Sequence, residues 1–380
     1  MRRVRLSRPA LVAIVAVVSV AASLLSAAPA TAETRSVFLV LEGADLAGSG
    51  LTSSVQDPQL AFSAIGSHWK AASGTQVELS VSPDGVRWGR WIAVPPEEAI
   101  EATREDGEPN PFAGETLGAL VFVDPASRYL RCRVRRSAGT SESNGPSRVS
   151  LQVIGSGIPS SRAVAVLPRR AAAPPPEIPG SLPGAAKPRI FTRAEWGARP
   201  PRTGYTLTVA GHIGIHHTAT VEDFAASTWE ECAARVRAIQ TYHIDTQGWN
   251  DIGYAYVVCK HGHVFQARED DDDTTDLQGA HDGFNKGSTG ISAFGYFHPP
   301  VDHHPTEAQL SAIVQLTAWI ASRRGIDPLG RSLYSAFGAV VDNIYGHREV
   351  SATDCPGDNL YARMDALRAA VSDRVRRQLY

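Results

Sequence analysis

Between Gly155 and Lys187 the chain carries Pro159, Pro168, Pro174, Pro175, Pro176, Pro179 and Pro183, set among Ala, Gly, Ser and Arg. Proline fixes φ and lacks a backbone N–H, so a stretch this dense in it builds neither helix nor sheet and reads as a semi-rigid spacer. A chain interrupted in this way folds in parts. We place the first part at 33–154, the spacer at 155–187 and the second part at 188–380.

The patterns on the two sides of the spacer differ. Before it, 36–41, 76–81, 117–123, 129–134 and 149–154 are short runs rich in β-branched and aromatic residues, bounded by Gly, Pro, Asp or Ser, which predicts strands. With no convincing helix among them, the expectation is an all-β, sandwich-like domain. Asp84-Gly85 signals a tight turn, because those residues tolerate positive φ. With Trp88 and Trp91 beyond it, the segment resembles the strand-turn-strand of jelly-roll carbohydrate-binding modules, although packing against a hairpin is the commoner use of such aromatics.

After the spacer, strands alternate with helices. Strands are predicted at 207–216, 254–259 and 264–267. Ser227-Thr228-Trp229-Glu230 reads as a capping box opening a helix with Cys232, Val236, Ile239 and His243 on one face, ending near Gly248. Thr306 with Gln309 starts a second helix toward Gly325, and a third runs from about Leu360 to Leu379. The fold class expected here is α/β, a mixed sheet flanked by helices.

Hydrophobic residues make up 43% and charged residues 20% of the 380, a globular balance. A net charge of −2 gives no support to a nucleic-acid partner. Arg2, Arg3, Arg5 and Arg8 precede an apolar run from Ala10 to Ala28 and then Ala30-Thr31-Ala32, the pattern of an export signal cleaved after residue 32. The expected location is therefore extracellular or cell-wall associated. An uncleaved anchor is the alternative, because about 19 apolar residues just span a bilayer.

Eleven of the twelve histidines lie beyond residue 188. Most have bland readings as core or surface residues. A different pattern surrounds Ile215-His216-His217-Thr218, Gly248-Trp249-Asn250-Asp251-Ile252-Gly253-Tyr254, Gly346-His347-Arg348 and Thr353-Asp354-Cys355-Pro356-Gly357. Two histidines and a cysteine are the ligand types that hold a catalytic zinc while leaving a fourth position for water. Consecutive strand residues point to opposite faces, so the residues alone leave His216 and His217 as alternatives.

Together with Arg193-Ala194-Glu195-Trp196-Gly197-Ala198 and Gly279-Ala280-His281, these fragments make the second part resemble the peptidoglycan recognition protein and type 2 N-acetylmuramoyl-L-alanine amidase family over nearly its whole length. Position by position, the resemblance implies Zn2+ held by His216, His347 and Cys355, with Tyr254 and Thr353 flanking the metal as catalytic residues. It implies His217, Thr218, Trp249, His281 and Asn285 as contacts for peptidoglycan or muropeptides. The implied reaction is hydrolysis of the amide between the lactyl group of N-acetylmuramic acid and L-alanine. A thiolate and two neutral imidazoles leave the site at +1, and zinc lowers the pKa of bound water to about 7.

Two other readings compete. Binding-only relatives keep the groove without the metal and commonly carry another residue, often Ser, at the position of Cys355; alternatively, Cys355 with His347 could form a cysteine hydrolase. With Cys355 in the metal set, the natural disulfide joins Cys232 on the buried helical stripe to Cys259 at a strand end. It would close a loop of about 27 residues, worth roughly 3 kcal/mol. Cys132 with Cys355 is the alternative pairing. The acidic run Glu269-Asp270-Asp271-Asp272-Asp273 departs from the family's short turn and reads as a solvated loop or incidental cation site; bordering the groove, it would favour amines over anionic substituents.

Overall fold

The computed structural model describes residues 34–42, 52–70, 75–100, 108–136, 148–155, 185–222, 226, 228–268, 276–281 and 283–377. The segment read as an export signal, most of the proline-rich spacer and the acidic run 269–273 lie outside the described residues.

The first part is a β-sandwich. Its strands are β1 (Arg35–Glu42), β2 (Phe62–Lys70), β3 (Thr75–Ser82), β4 (Ile92–Val94), β5 (Pro96–Ala99), β6 (Thr116–Ser127), β7 (Tyr129–Arg136) and β8 (Arg148–Gly155). One sheet runs β1-β8-β2-β6, with β5 also on β6, and the facing sheet runs β4-β3-β7. Ile65, Trp69, Val121, Val149 and Leu151 of the first sheet meet Val77, Leu79, Ile92, Leu130 and Val134 of the second in a shared core. The Asp84-Gly85 turn forms, with Gly85 at φ 74 and Asp84 Oδ1 accepting the amides of Val86 and Arg87. Trp88 and Trp91 lie against the Arg131 and Arg133 guanidiniums at 4.2 to 4.7 Å, so these rings pack within the protein.

β2 is absent from the sequence expectation, and the cause is physical. Its residues Phe-Ser-Ala-Ile-Gly-Ser-His-Trp are all buried, so both faces are covered and the alternation that marks a half-exposed strand is missing.

In the second part the order is β9 (Ile190–Phe191), α1 (Arg193–Trp196), β10 (Leu207–Thr208), β11 (His212–His217), β12 (Val221–Glu222), α2 (Trp229–Tyr242), β13 (Tyr256–Val258), β14 (Val264–Gln266), β15 (Asp276–Leu277), β16 (Ser288–Ala293), α3 (Glu307–Arg324), β17 (Arg331–Tyr334), β18 (Ala339–Asp342), β19 (Ile344–Gly346), α4 (Asp358–Tyr361) and α5 (Met364–Arg376). The central sheet runs β19-β11-β16-β13-β14-β9. It is mixed: β11 is parallel to β16 and β19, and β13 is antiparallel to β14. Ile213, Ile215, Tyr256 and Val258 pack with α3 and α5 on one face. Val257 and Phe265 pack with α2 on the other, as the two-residue period requires.

Several boundaries move. The run 207–216 splits into β10 and β11. The first capping box sits one residue later, with Thr228 accepting from the Glu231 amide and the Glu231 carboxylate returning to the Thr228 amide; Thr-x-x-Glu satisfies the same rule as Ser-x-x-Glu. Thr306 caps α3 as expected, but the Gln309 side chain donates to the carbonyls of Val258 and Phe294, fastening the helix to the sheet instead of closing a box. The last helix breaks into α4 and α5 around Ala362-Arg363.

From Ala32 to Tyr380 the chain forms one compact unit. β12 adds to the edge of the sandwich sheet, parallel to β6. Helix α2 covers the outer face of that sheet: Tyr242 donates to the carbonyls of Gly118 and Ser67 at 2.8 and 3.2 Å. A Cβ at Gly66 would lie 2.3 Å from the Tyr242 ring, so glycine there is what lets helix and strand approach. Thr246 donates to Gln152 at 2.6 Å and the Asn110 amide to the Gln247 carbonyl at 2.9 Å. Such buried hydrogen bonds contribute about 1 kcal/mol each.

The four cysteines are present as buried thiols. Cys232 and Cys259 are hydrogen-bonded to one another. Cys132 sits inside the sandwich core, where burial pushes its thiol up to about 12.

Candidate metal centre and groove

His216 is the penultimate residue of β11, and His347 follows β19. These strands are parallel neighbours, with Ile215 opposite Gly346, so both histidines emerge at the same edge. Strand ends at one edge of a parallel sheet are a recurrent place for binding sites. Cys355 comes from the following loop, which is held by the Arg348 amide donating to the Cys355 carbonyl at 2.9 Å and the Cys355 amide donating to Thr353 Oγ1 at 3.2 Å.

One ligand atom from each of His216, His347 and Cys355 lies within 4.8 Å of the others, and Cys355 Sγ stands 3.6 Å from His216 Nδ1. Tetrahedral zinc with Zn–N near 2.0 and Zn–S near 2.3 Å places its ligand atoms about 3.3 to 3.7 Å apart. The sulfur–nitrogen separation already matches.

Protonation also fits. His216 Nε2 is 3.0 Å from His281 Nδ1, and His281 Nε2 is 3.3 Å from Ser288 Oγ. Ser288 in turn donates to the Asn285 carbonyl at 3.2 Å. The chain of donors runs consistently when His216 carries its proton on Nε2, which leaves the Nδ1 lone pair directed at Cys355. Burial, then the neighbouring His347, His281 and His217, hold the His216 imidazole well below its ordinary pKa, so it is neutral as a metal ligand must be. Room for this arrangement depends on Gly279 and Gly290, where a Cβ would come within 2.3 and 2.7 Å of the His281 ring.

The choice between the two adjacent histidines resolves by face. His217 turns away from Cys355 to lie against Tyr296, Phe297 and His298. Burial, followed by His298 and His347, pushes it down to about 3. The Tyr254 ring lies 5.7 Å from that of His216, with its hydroxyl donating to the His217 carbonyl at 3.3 Å.

His216, His217, Tyr254, His281, His347 and Cys355 line one cavity of about 790 Å³, together with Trp249, Thr218, Asn285 and Thr353. Several expected substrate contacts are already engaged. His281 bonds His216 and Ser288; the Thr218 hydroxyl bonds Thr220 and accepts the Gly295 amide; Asn285 Oδ1 accepts the His281 amide at 2.6 Å. They shape the groove. Trp249 lies beside His243, ring centres 4.5 Å apart.

Sequence reasoning missed Tyr296 and His298, stacked at 4.4 Å, although the aromatic run Phe294-Gly295-Tyr296-Phe297-His298 was a signal. It also missed a whole wall: Pro96, Glu97, Ile100 and residues 117–120 of the sandwich line the same cavity. No local signal marks them, since only the packing of α2 on the sandwich brings them there.

A two-histidine, one-cysteine cluster opening on a cavity at the strand ends of a mixed sheet is a donor set able to hold a metal ion such as zinc. The N-acetylmuramoyl-L-alanine amidase family matches residues 208–358. The N-acetylmuramoyl-L-alanine amidase of Homo sapiens is 36% identical over 177 residues, 46% of this chain and 27% of that one. That of Sus scrofa is 30% identical over 308 residues, 77% of this chain and 46% of that one. Peptidoglycan-recognition protein SC2 of Drosophila simulans is 32% identical over 176 residues, 45% of this chain and 82% of that one. The chain belongs to the peptidoglycan recognition protein and type 2 amidase family. It spans less than half the length of the two mammalian relatives. Among the described residues, no helix is long and apolar enough to cross a membrane.

Proposed function

We propose that this protein is an exported, zinc-dependent N-acetylmuramoyl-L-alanine amidase that separates stem peptides from peptidoglycan glycan. The observation that carries this reading is the convergence of His216, His347 and Cys355 on a groove, with His281 placed to hold the His216 ring through its Nε2. Zinc in that set would supply a Lewis acid for the scissile carbonyl and a bound water acidic enough to ionise near pH 7.

The chain's own residues do the rest. Tyr254, at the groove beside His216, turns its hydroxyl from the His217 carbonyl to the oxygen of the scissile amide and stabilises its developing negative charge. Thr353 Oγ1 accepts the Cys355 amide, which leaves its hydroxyl proton available to donate to a bound substrate or water. His217 stays neutral at working pH, so it acts as a packing and hydrogen-bonding group instead of a proton store. The disulfide between Cys232 and Cys259 is part of the same proposal: export places two touching thiols in an oxidising compartment.

Cys355 speaks against the binding-only reading. The cysteine-hydrolase reading is separated by metal dependence. Activity on muropeptides abolished by a chelator and restored by Zn2+ supports the amidase, whereas activity indifferent to the chelator overturns the zinc assignment.

A further inference from the structure

Part of the groove lining comes from outside the mixed sheet that carries the His216 cluster. β5 enters it with Pro96 and Glu97, and β6 with residues 117–120, facing Ile239, Tyr242, Tyr296 and His298 of the second part. Glu97 is half-buried, and its carboxylate accepts a hydrogen bond from the Tyr296 hydroxyl. Tyr296 stacks on His298, which lies 5.5 Å from His217. An unbroken row of rings therefore leads from Glu97 to the residue next to the zinc ligand His216. Burial, with the Glu97 charge next, raises the Tyr242 and Tyr296 phenols. They remain neutral donors.

We propose that the sandwich completes the substrate groove and that Glu97 is a specificity-determining residue, accepting a charge-assisted hydrogen bond from an ammonium group on the stem peptide of the bound muropeptide. This inference rests on the reading that the groove takes muropeptides. A carboxylate accepts several hydrogen bonds at once, so a bond to Tyr296 is compatible with one from a ligand amine. In a half-buried groove the contact discriminates strongly, because an acylated amine brings no charge against the carboxylate and leaves it desolvated.

The test uses the intact chain and two muropeptides that differ only in whether the stem-peptide amine is free or N-acetylated. The quantity read is the ratio of kcat/KM for the two within one preparation, which a partly unfolded variant does not distort. Wild type favours the free amine by about 10- to 100-fold, the size of a charge-assisted hydrogen bond. Glu97→Gln brings the ratio toward one, and Glu97→Asp keeps a preference in the wild-type direction. A wild-type ratio near one, or an undiminished preference in Glu97→Gln, overturns the inference. Calorimetric titration of the same pair makes the two readings separable: if the chain binds both without cleaving either, the amidase reading fails while a Glu97-dependent difference in affinity still supports the role of Glu97. No binding and no cleavage overturn both.

Discussion

The two walls of the groove are built differently. The ligand wall is assembled within one sheet: β11 and β19 are adjacent and parallel, glycines at 279 and 290 make room for the supporting His281 ring, and burial holds the His216 and His217 imidazoles below their ordinary pKa. The sandwich wall is assembled by docking, from strands more than 90 residues earlier held by Tyr242 and the β6–β12 pairing, and it presents a carboxylate. The contrast separates two jobs. Electron pairs for a cation require sub-ångström placement, which a register supplies; choosing among substrates requires only shape and charge at the far side, which a docked domain can supply.

Breaking the ligand wall has the largest expected effect. Cys355→Ser loses bound zinc and amidase activity together, measured by metal analysis and product release, while muropeptide binding by the rest of the groove persists. Tyr254→Phe keeps zinc and the fold but lowers kcat by about 10²- to 10³-fold, the size of one lost oxyanion contact; an unchanged kcat removes Tyr254 from the reaction. His281→Ala, one step behind the metal, weakens zinc affinity by about 10- to 100-fold in a competition titration.

The smallest effect falls where the walls meet. Burial and the Arg268 charge push His243 down to about 3 from 6.5. Between pH 6.5 and 3 the unfolded chain therefore binds a proton there that the folded chain does not. That stability is fully present above pH 6.5 and is lost as pH falls through the window. His243→Gln, which retains an acceptor for the Gly253 amide that His243 Nδ1 now receives, should flatten the stability–pH slope by about 1.4 kcal/mol per pH unit near pH 5. Denaturant titrations at several pH values check this.

How much was legible in the sequence follows the same divide. His216, His347 and Cys355 sit in fragments whose residue types suggest a metal site, Tyr254 was reached only through the family resemblance, and α3 announced itself by its Thr306 cap. His216 and His217 could not be told apart from residues alone; opposite faces of β11 separate them. β2 escaped because burial on both faces erases the alternating pattern, and Glu97 because nothing in Pro95-Pro96-Glu97 indicates that a helix 140 residues later will carry it to the groove. Non-local packing is invisible to periodicity.

The central claim is that this groove hydrolyses one amide. Purified chain lacking residues 1–32 is incubated with muropeptides and the products are weighed by mass spectrometry. Peptides with a new amino-terminal L-alanine together with peptide-free glycan are the expected products, and intact muropeptides after incubation with zinc-loaded protein would contradict amide hydrolysis by this groove.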